Sequence, residues 1–209
     1  VLVYSLDEEW GARRNVDVTL KVGLNQIELG DVLILAEELE LSPTAVTTAE
    51  LVHGRFGGGW LRKLVALDAS DSDALREFCD QTGAQSESLK ALQRRVMRIA
   101  RRDYIEEQVA FSPIGEMVAA LDRGQHIILV FGRHDTPLDY MLVSNIVTRR
   151  IRRRYQEKVN EYERRRDEAY KPRPLMITLE EAHKFLNPKA SKQTIFGTIA
   201  RELWKFYVT

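Results

Sequence analysis

Short apolar segments bounded by polar residues recur along this chain, and each of them predicts a β-strand. Three of them are Val1–Tyr4, His126–Phe131 and Leu175–Leu179. The last follows a proline and ends at two glutamates, a pattern typical of a strand buried on both faces in a parallel sheet. Val16–Val22 instead alternates apolar and polar residues, which predicts a half-exposed strand.

Between these strands the spacing of apolar residues predicts helices. Ser42 and Pro43 are typical of an N-cap and a first helical residue, and they predict a helix that runs to about His53. Further helical segments are predicted at Ile27–Leu41, Ser70–Asp80, Ser86–Arg102, Pro113–Arg123 and, as a long amphipathic helix, from Leu138 to about Tyr170.

This order of elements predicts an α/β fold. We expect residues 1–27 and 108–209 to form the core, with a mainly parallel sheet, and residues 28–107 to form a helical insertion. The helix from Leu138 lies between two apolar strands, which favours a right-handed parallel crossover.

Composition narrows the class of protein. The chain has 209 residues with 31 basic and 31 acidic side chains, so its net charge neither favours nor excludes nucleic acid. Cys79, the single cysteine, excludes an internal disulfide and fits a reducing compartment. No apolar run approaches the ~18–20 residues needed to cross a bilayer, and no basic-then-apolar leader precedes the first strand. We expect a soluble cytoplasmic protein with no membrane partner.

Two neighbouring acids, Glu180 and Glu181, follow the predicted strand Leu175–Leu179. In open α/β sheets ligands bind at the carboxyl ends of the strands. Adjacent carboxylates beside an apolar strand are costly to desolvate unless a cation or hydrogen-bond donors satisfy them. A nucleotide site accounts for both features: Glu180 would hold Mg²⁺, directly or through water, and Glu181 would orient and deprotonate the attacking water.

Leu175–Leu186 resembles the Walker B segment of the HerA/FtsK group of RecA-like ATPases, specifically the HerA-type DNA translocases. Ile199–Thr209 resembles the helix and strand that follow it in that family. Leu203 and Trp204 stand where the family usually has Gly-Arg, which leaves Arg201 as the nearby arginine that the resemblance assigns to the γ-phosphate.

The N-terminal turn carries a second part of the resemblance. In this family the strand after the phosphate-loop helix ends in Asp-x-x-Gly-Glu-Tyr. Glu9 and Trp10 match the Glu-Tyr pair, whereas Ser5 and Glu8 replace the Asp and the Gly. The resemblance implies that Glu9 belongs to the cofactor site. A capped surface turn is the alternative interpretation.

The resemblance implies a RecA-like P-loop NTPase core with ATP and Mg²⁺ as cofactors. It further implies a homo-hexameric ring that moves double-stranded DNA through a central pore, with a nuclease as a further partner. No Gly-x-x-x-x-Gly-Lys-Ser/Thr loop occurs in the sequence, and Gly54–Gly59 lacks both its lysine and a preceding buried strand. We therefore expect a fragment of a larger ATPase that is inactive by itself and lacks the phosphate loop and the last strands.

Two arginine runs, Arg149–Arg154 and Arg164–Arg166, form the densest positive charge. Acidic residues lie near them at helical spacing: Glu157, Glu161, Glu163, Asp167 and Glu168. Pairs at i,i+3 and i,i+4 favour a solvated helix face. A phosphate-tracking surface or a subunit interface is the functional alternative, and DNA contact would show a steep salt dependence.

Other functions stay open at this point. A non-enzymatic module could dock a partner or nucleic acid through Arg149–Arg166 and the amphipathic Ser86–Arg102. A conjugation or secretion ATPase would share the same strand and acids with a different cargo, and a degenerate relative would not hydrolyse ATP. We interpret His183 as a hydrogen-bonding side chain, because no Cys/His spacing typical of zinc occurs in the sequence.

Overall fold

A computed structural model of the chain describes residues 1–9, 15–109, 113–180 and 203–209, without the side chains of residues 203 and 204. The chain folds into two compact units, one formed by Val1–Thr19 with Pro113–Thr209 and the other by Leu20–Ser112. The first contains a small parallel sheet and the second is mainly helical. The α/β class predicted from the sequence is therefore confirmed.

The elements follow one another with short connections. The strands are β1 (Leu2–Ser5), β2 (Val18–Thr19), β3 (Val22–Gly23), β4 (Ile105–Glu106) and β5 (Ile127–Val130). The α-helices are α1 (Leu29–Ile34), α2 (Pro43–Phe56), α3 (Trp60–Ala66), α4 (Ser72–Thr82), α5 (Ser86–Ala100), α6 (Pro113–Asp122) and α7 (Pro137–Arg165). Turns of 3-10 helix lie at Leu24–Gln26, Gly57–Gly59, Glu168–Tyr170 and Leu203–Phe206.

The sheet of the first unit has the strand order β2–β1–β5, and all of its pairs are parallel. Tyr4 is opposite Val18 on one side and Leu129 on the other. Leu6 extends this pairing beyond β1, because its N–H donates to the carbonyl of Val130 at 3.1 Å. Since the strands run in one direction, the loops that follow β1 and β5 lie together at the carboxyl edge of the sheet.

The expectation of strands buried on both faces is wrong for two segments. The predicted strand Leu175–Leu179 is represented only by a bridge at Leu175; its residues alternate between half-buried and exposed, and Met176 is 76% exposed. In β5, Ile128 is 51% exposed. The reason is a groove that separates β5 from the Leu175 segment and leaves apolar side chains of both uncovered.

The crossover prediction implies that Leu175–Leu179 belongs to the same parallel sheet as β5. In the structure this segment pairs with a different part of the chain. Leu175 forms a parallel bridge with Val208. Two hydrogen bonds extend that pairing: the N–H of Ile177 donates to the carbonyl of Thr209 at 2.7 Å, and the N–H of Thr209 donates to the carbonyl of Leu175 at 2.9 Å. Within the described residues, α7 therefore leads from β5 to a segment that pairs with the chain terminus.

The predicted strand Val16–Val22 is divided between the two units. Its first part is β2, which pairs with β1 in the sheet of the first unit. Its second part is β3, which pairs in parallel with β4, so that Val22 is opposite Ile105 and the two ends of the helical unit are joined. One alternating run therefore contributes to two sheets.

The helical unit has its own apolar core. Fully buried side chains come from α2, α3 and α5: Ala49, Val52, Trp60, Leu61, Leu64, Leu89, Leu92, Val96 and Ile99. The side-chain amide of Gln93 in α5 donates to the carbonyls of Leu64 and Leu67 at 2.9 and 2.6 Å. These bonds satisfy carbonyls that the end of α3 leaves without helical partners.

The longest helix, α7, departs from its predicted amphipathic pattern. Its first three turns are buried on nearly every side: Leu138, Asp139, Met141, Leu142, Val143, Ser144, Asn145, Ile146, Val147 and Thr148. It ends at Arg165 and not near Tyr170, because Arg166 takes the left-handed conformation with φ 53°. No helix in the described ranges has the length and apolar composition to cross a membrane.

The predicted start of α2 is confirmed and allows a test. The Ser42 hydroxyl accepts the N–H of Ala45 at 3.1 Å, so we expect Ser42→Ala to lower the free energy of unfolding by ~1 kcal/mol. Gln85 is the N-cap of α5 and has no side-chain cap bond, so Gln85→Ala is the matched control with little expected effect. Urea unfolding followed by circular dichroism measures both variants, and equal losses would contradict the role of Ser42.

Candidate functional site

The loop after β1 is anchored by Ser5. Its hydroxyl accepts the N–H of Asp7 and donates to the Asp7 carbonyl, both at 3.0 Å. Ser5 and Asp7 are buried, whereas Glu8 and Glu9 are exposed. The turn is therefore capped, but it is not a simple surface turn, because its first half is packed inside the protein.

The loop after β5 meets this turn at Asp7. The Arg133 N–H donates to Oδ2 of Asp7 at 3.2 Å. Gly132 has φ +61°, and a Cβ added to it would lie 2.5 Å from the Asp7 Cβ. The His134 N–H donates to the Phe131 carbonyl at 3.1 Å and closes the turn. One buried carboxylate thus fixes the relative position of the two loops.

Asp7 is a residue that the sequence reasoning missed. The comparison of the N-terminal turn with the HerA pattern drew attention to Glu9 and away from the acid nearer to the strand. A carboxylate two residues after a buried strand, with a glycine after a second parallel strand, is the signal that could have identified this contact.

Glu9 forms an ion pair across the same edge. Its Oε2 lies 3.6 Å from Nη1 of Arg133, and the two side chains are 75% and 48% exposed. An exposed pair of this kind contributes ~0–1 kcal/mol, because solvent screens it. Glu9, the predicted cofactor residue, is therefore held beside the Arg133 guanidinium by a weak ion pair.

A groove of about 570 Å³ borders this loop. β5 and Phe131 form one side, and Leu175–Glu180 forms the other. Apolar side chains from α6 and α7 complete the lining: Met117, Leu121, Tyr140, Val147 and Ile151. Phe131 packs on Tyr140 with their ring centroids 4.3 Å apart. Grooves of this size and apolar character are typical of small-molecule sites.

The predicted site residues fall into two groups. Glu9 and Glu180 belong to the described residues: Glu9 contacts Arg133, and the exposed Glu180 lines the groove together with Phe131. Glu9 therefore lies beside the loop that follows β5, whereas Glu180 lies on the groove along β5. Glu181 and Arg201 lie outside the described residues, so their roles stay predictions.

The metal role of Glu180 also stays a prediction. Among the described residues, no group of three or more His, Cys, Asp or Glu side chains is arranged to hold a metal ion. A Mg²⁺ ion in a nucleotide site is usually bound through one or two carboxylates together with phosphates and water. Glu180 can supply one such carboxylate, because it is exposed on the groove.

The start of α7 is satisfied by its own side chains. Thr136 is the N-cap and accepts the N–H of Asp139 at 3.4 Å, while its hydroxyl donates to Oδ2 of Asp139 at 2.5 Å. Asp139 is completely buried in the first turn, where a negative charge is favoured by the helix dipole. This pair fixes the direction in which α7 leaves the loop after β5.

Arg154, Arg164 and Arg165 of α7 form acid pairs at the helical spacing that the sequence predicts, and Arg154 also pairs with Asp122 on α6, which the sequence did not predict. Arg154 donates to Asp122 at 2.8 Å and to Glu157 at 3.4 Å. Arg164 and Arg165 both donate to Glu161. The hydrogen bond that Arg154 donates to Asp122 raises the pKa of the Arg154 guanidinium. For these arginines the predicted paired helix face is confirmed.

The chain matches no protein-family model, no curated protein and no solved structure. Its likeness to HerA-type translocases therefore depends on the Walker B-like segment, the C-terminal segment and the N-terminal turn. The class that the fold itself supports is an α/β protein with polar loops at the carboxyl edge of a parallel sheet and a groove that runs along β5.

The close contact at Gly132 can be tested by substitution. Gly83 also has positive φ but has open space where a Cβ would stand, so Gly83→Ala should cost ~1–2 kcal/mol for backbone strain alone. Gly132→Ala should cost a further ~1–3 kcal/mol, because the new Cβ overpacks against Asp7. Urea unfolding of the two variants measures the difference, and equal losses would show that the loops are not tightly packed.

The Glu161 cluster predicts a pH effect. Hydrogen bonds from Arg165 and then Arg164 lower the pKa of Glu161 from its ordinary value of 4.5. The ionised Glu161 carboxylate therefore stabilises the fold above pH 4.5. This stabilisation is lost as the pH falls through the lowered pKa of Glu161. A carbon-detected NMR titration should place the Glu161 midpoint below 4.5, and Arg165→Ala should raise it. Arg76→Ala, in the helical unit, should leave it unchanged.

Proposed function

We propose that this chain is the part of a RecA-like ATPase core that carries the Walker B acids, in a HerA-like double-stranded DNA translocase. The observation that supports this most is the placement of Asp7 and Glu9 after β1, at the carboxyl edge of a parallel sheet. Glu180 follows the Leu175 segment and lines a groove along β5. Parallel α/β sheets bind their ligands at their carboxyl edge.

The proposed chemistry is phosphoryl transfer to water. In such reactions the protein acts mainly by positioning groups and stabilising charge. In this proposal, Glu180 holds the Mg²⁺ of the Mg–ATP complex, and Glu181 orients and deprotonates the attacking water. Arg201 contacts the γ-phosphate, and Glu9 contributes to the cofactor site. The exposure of Glu180 supports its role, since a carboxylate that is exposed on the groove is accessible to a metal ion.

The proposal includes a larger assembly. No Gly-x-x-x-x-Gly-Lys-Ser/Thr loop occurs in the sequence, and the proposal therefore requires a phosphate loop supplied from outside these residues. A cytoplasmic homo-hexamer would move double-stranded DNA, with a nuclease as a further partner. Because Arg154, Arg164 and Arg165 are paired with acids, we do not place the DNA path on them.

Glu181→Gln in the full-length protein tests the proposed base. Removal of a general base typically lowers turnover by ~10²–10⁴-fold, while the binding of Mg–ATP should be retained. Steady-state ATP hydrolysis, with and without double-stranded DNA, measures the effect. Glu163→Gln is the matched control, because Glu163 is an exposed acid near the far end of α7.

Two outcomes of that assay would contradict the proposal in different ways. Wild-type turnover in the Glu181→Gln variant would reject the assigned base. Absence of magnesium-dependent hydrolysis in the wild-type protein would reject the ATPase and favour the non-enzymatic interaction module.

A further inference from the structure

The exposed positions of α5 are all cations from Lys90 onward. Between residues 90 and 101 they are Lys90, Arg94, Arg98 and Arg101, the last of which is the C-cap residue of the helix. At 3.6 residues per turn these four positions fall within about 80° of one another around the helix axis, and at 1.5 Å per residue they extend over about 16 Å. We call these four residues the basic stripe of α5.

The core of the helical unit holds this stripe in place. On the other side of α5, the side chains of Leu89, Leu92, Val96 and Ile99 are completely buried. The Gln93 amide is bound to two carbonyls at the end of α3. The helix is therefore fixed before any ligand binds, and cations placed in this way lose less conformational freedom on binding than cations on a mobile segment.

Acids neutralise little of the charge of the stripe. Glu87 lies on the same face and pairs with Lys90, with the charged atoms 3.8 Å apart and the two side chains 88% and 44% exposed. Arg94 and Arg101 have no hydrogen-bond or ion-pair partner within the ranges that the structure describes. Arg98 donates to a backbone carbonyl at 2.7 Å, which leaves its net charge in place. The stripe therefore differs from the arginines of α7, which are paired with acids.

Helix stability does not explain the middle of the stripe. Cations in the last turn of a helix are favoured by the helix dipole, which accounts for Arg98 and Arg101. Lys90 and Arg94 lie earlier in α5. Like charges four residues apart destabilise a helix, and both Lys90–Arg94 and Arg94–Arg98 are such pairs. The charge pattern therefore fits a binding surface better than a stabilising one.

The chemistry around the stripe indicates which partner it fits. A membrane-binding helix buries its apolar face in lipid, but the apolar face of α5 is already buried in the core. Protein interfaces have a core of apolar and aromatic side chains, whereas the exposed positions of the stripe are all charged. Single-stranded nucleic acid stacks its bases on aromatic side chains, and residues 86–102 include no aromatic residue. A row of cations on a fixed helix instead fits the closely spaced phosphates of a duplex.

We propose that the basic stripe of α5 binds the phosphate backbone of double-stranded DNA without reading its sequence. The choice of DNA as the duplex rests on the proposed translocase function, whereas the contact itself requires no hydrolysis of ATP. Four cations that each neutralise one phosphate contribute a slope of about −3.6 to a plot of the logarithm of the binding constant against the logarithm of the salt concentration.

The test measures the binding of a short, fluorescently labelled DNA duplex to the full-length protein at several salt concentrations, without ATP or Mg²⁺. Arg94→Gln should reduce the steepness of the salt dependence by about 1, and the double variant with Lys90→Gln by about 2. The loss should be the same for duplexes of unrelated sequence, because phosphate contacts carry no sequence information. Arg76→Gln is the matched control, since Arg76 is an exposed arginine of α4 that is paired with Asp73, and it should leave the slope unchanged.

Two further measurements separate binding from folding. Arg94→Gln removes the like-charge pairs with Lys90 and Arg98, so its urea midpoint should equal or exceed that of the wild-type protein. A lower midpoint together with weaker binding would assign Arg94 a structural role. Arg94→Lys should keep the wild-type salt slope, because lysine also binds phosphate as a point charge. A lysine variant that behaves like the glutamine variant would overturn the phosphate contact.

The outcomes distinguish this surface from the proposed function. If the wild-type protein hydrolyses ATP and binds the duplex, but Arg94→Gln keeps its salt slope, the translocase stands and the stripe is rejected. If the wild-type protein does not hydrolyse ATP but Arg94→Gln has the expected effect on DNA binding, the ATPase is rejected and the stripe stands. Wild-type protein that does not bind the duplex rejects both the DNA cargo and the stripe.

The same assay tests the choice of partner. A single strand of the same length should bind more weakly than the duplex, and equal or tighter binding would overturn the assignment to a double helix. Polyglutamate represents an acidic protein surface. If it displaces the labelled duplex as well as unlabelled duplex does, charge for charge, the stripe is a docking surface for an acidic protein and the assignment to DNA is overturned.

Discussion

The contact between Asp7 and the loop after β5 is the constraint on which the candidate site depends. β1 and β5 are short, and their parallel pairing alone does not fix the loops that follow them. The buried Asp7 carboxylate accepts the Arg133 N–H, and Gly132 allows the two loops to approach closely. Because Asp7 is buried, its carboxylate is held in place, and the edge of the sheet keeps a defined shape.

The charges at this edge differ from those along α7 in a way that bears on function. On α7, arginines are paired with acids one helical turn away or with Asp122 on α6, so much of their charge is neutralised locally. At the sheet edge, Arg133 and Glu9 are linked by a longer and more exposed pair, and Glu180 is exposed on the groove. Charges of the second kind can take a new partner at small cost, which is why we place ligand binding there.

The extent to which the sequence predicted the structure differs between local and non-local features. The start of α2 was predicted from Ser42 and Pro43, since capping depends on residues within one helical turn. The pairs of Arg154, Arg164 and Arg165 with nearby acids follow from helical spacing in the same way. The burial of β5 and of Leu175–Leu179 was predicted less well, because exposure depends on what packs against a segment and not on its own composition.

The candidate site shows the same difference between features that depend on neighbouring residues and features that depend on distant ones. Sequence pattern identified Glu180 as an acid that follows an apolar segment, and the resemblance to the HerA motif singled out Glu9. Asp7 and Arg133 are separated by more than a hundred residues, so no local pattern could connect them. By itself, the sequence determined the α/β class, the cap of α2 and several ion pairs of α7, because short-range sterics, hydrogen bonding and helical spacing govern them. Only the tertiary structure decided which loops meet at the sheet edge and which apolar faces stay exposed, because those features depend on how distant parts of the chain pack together.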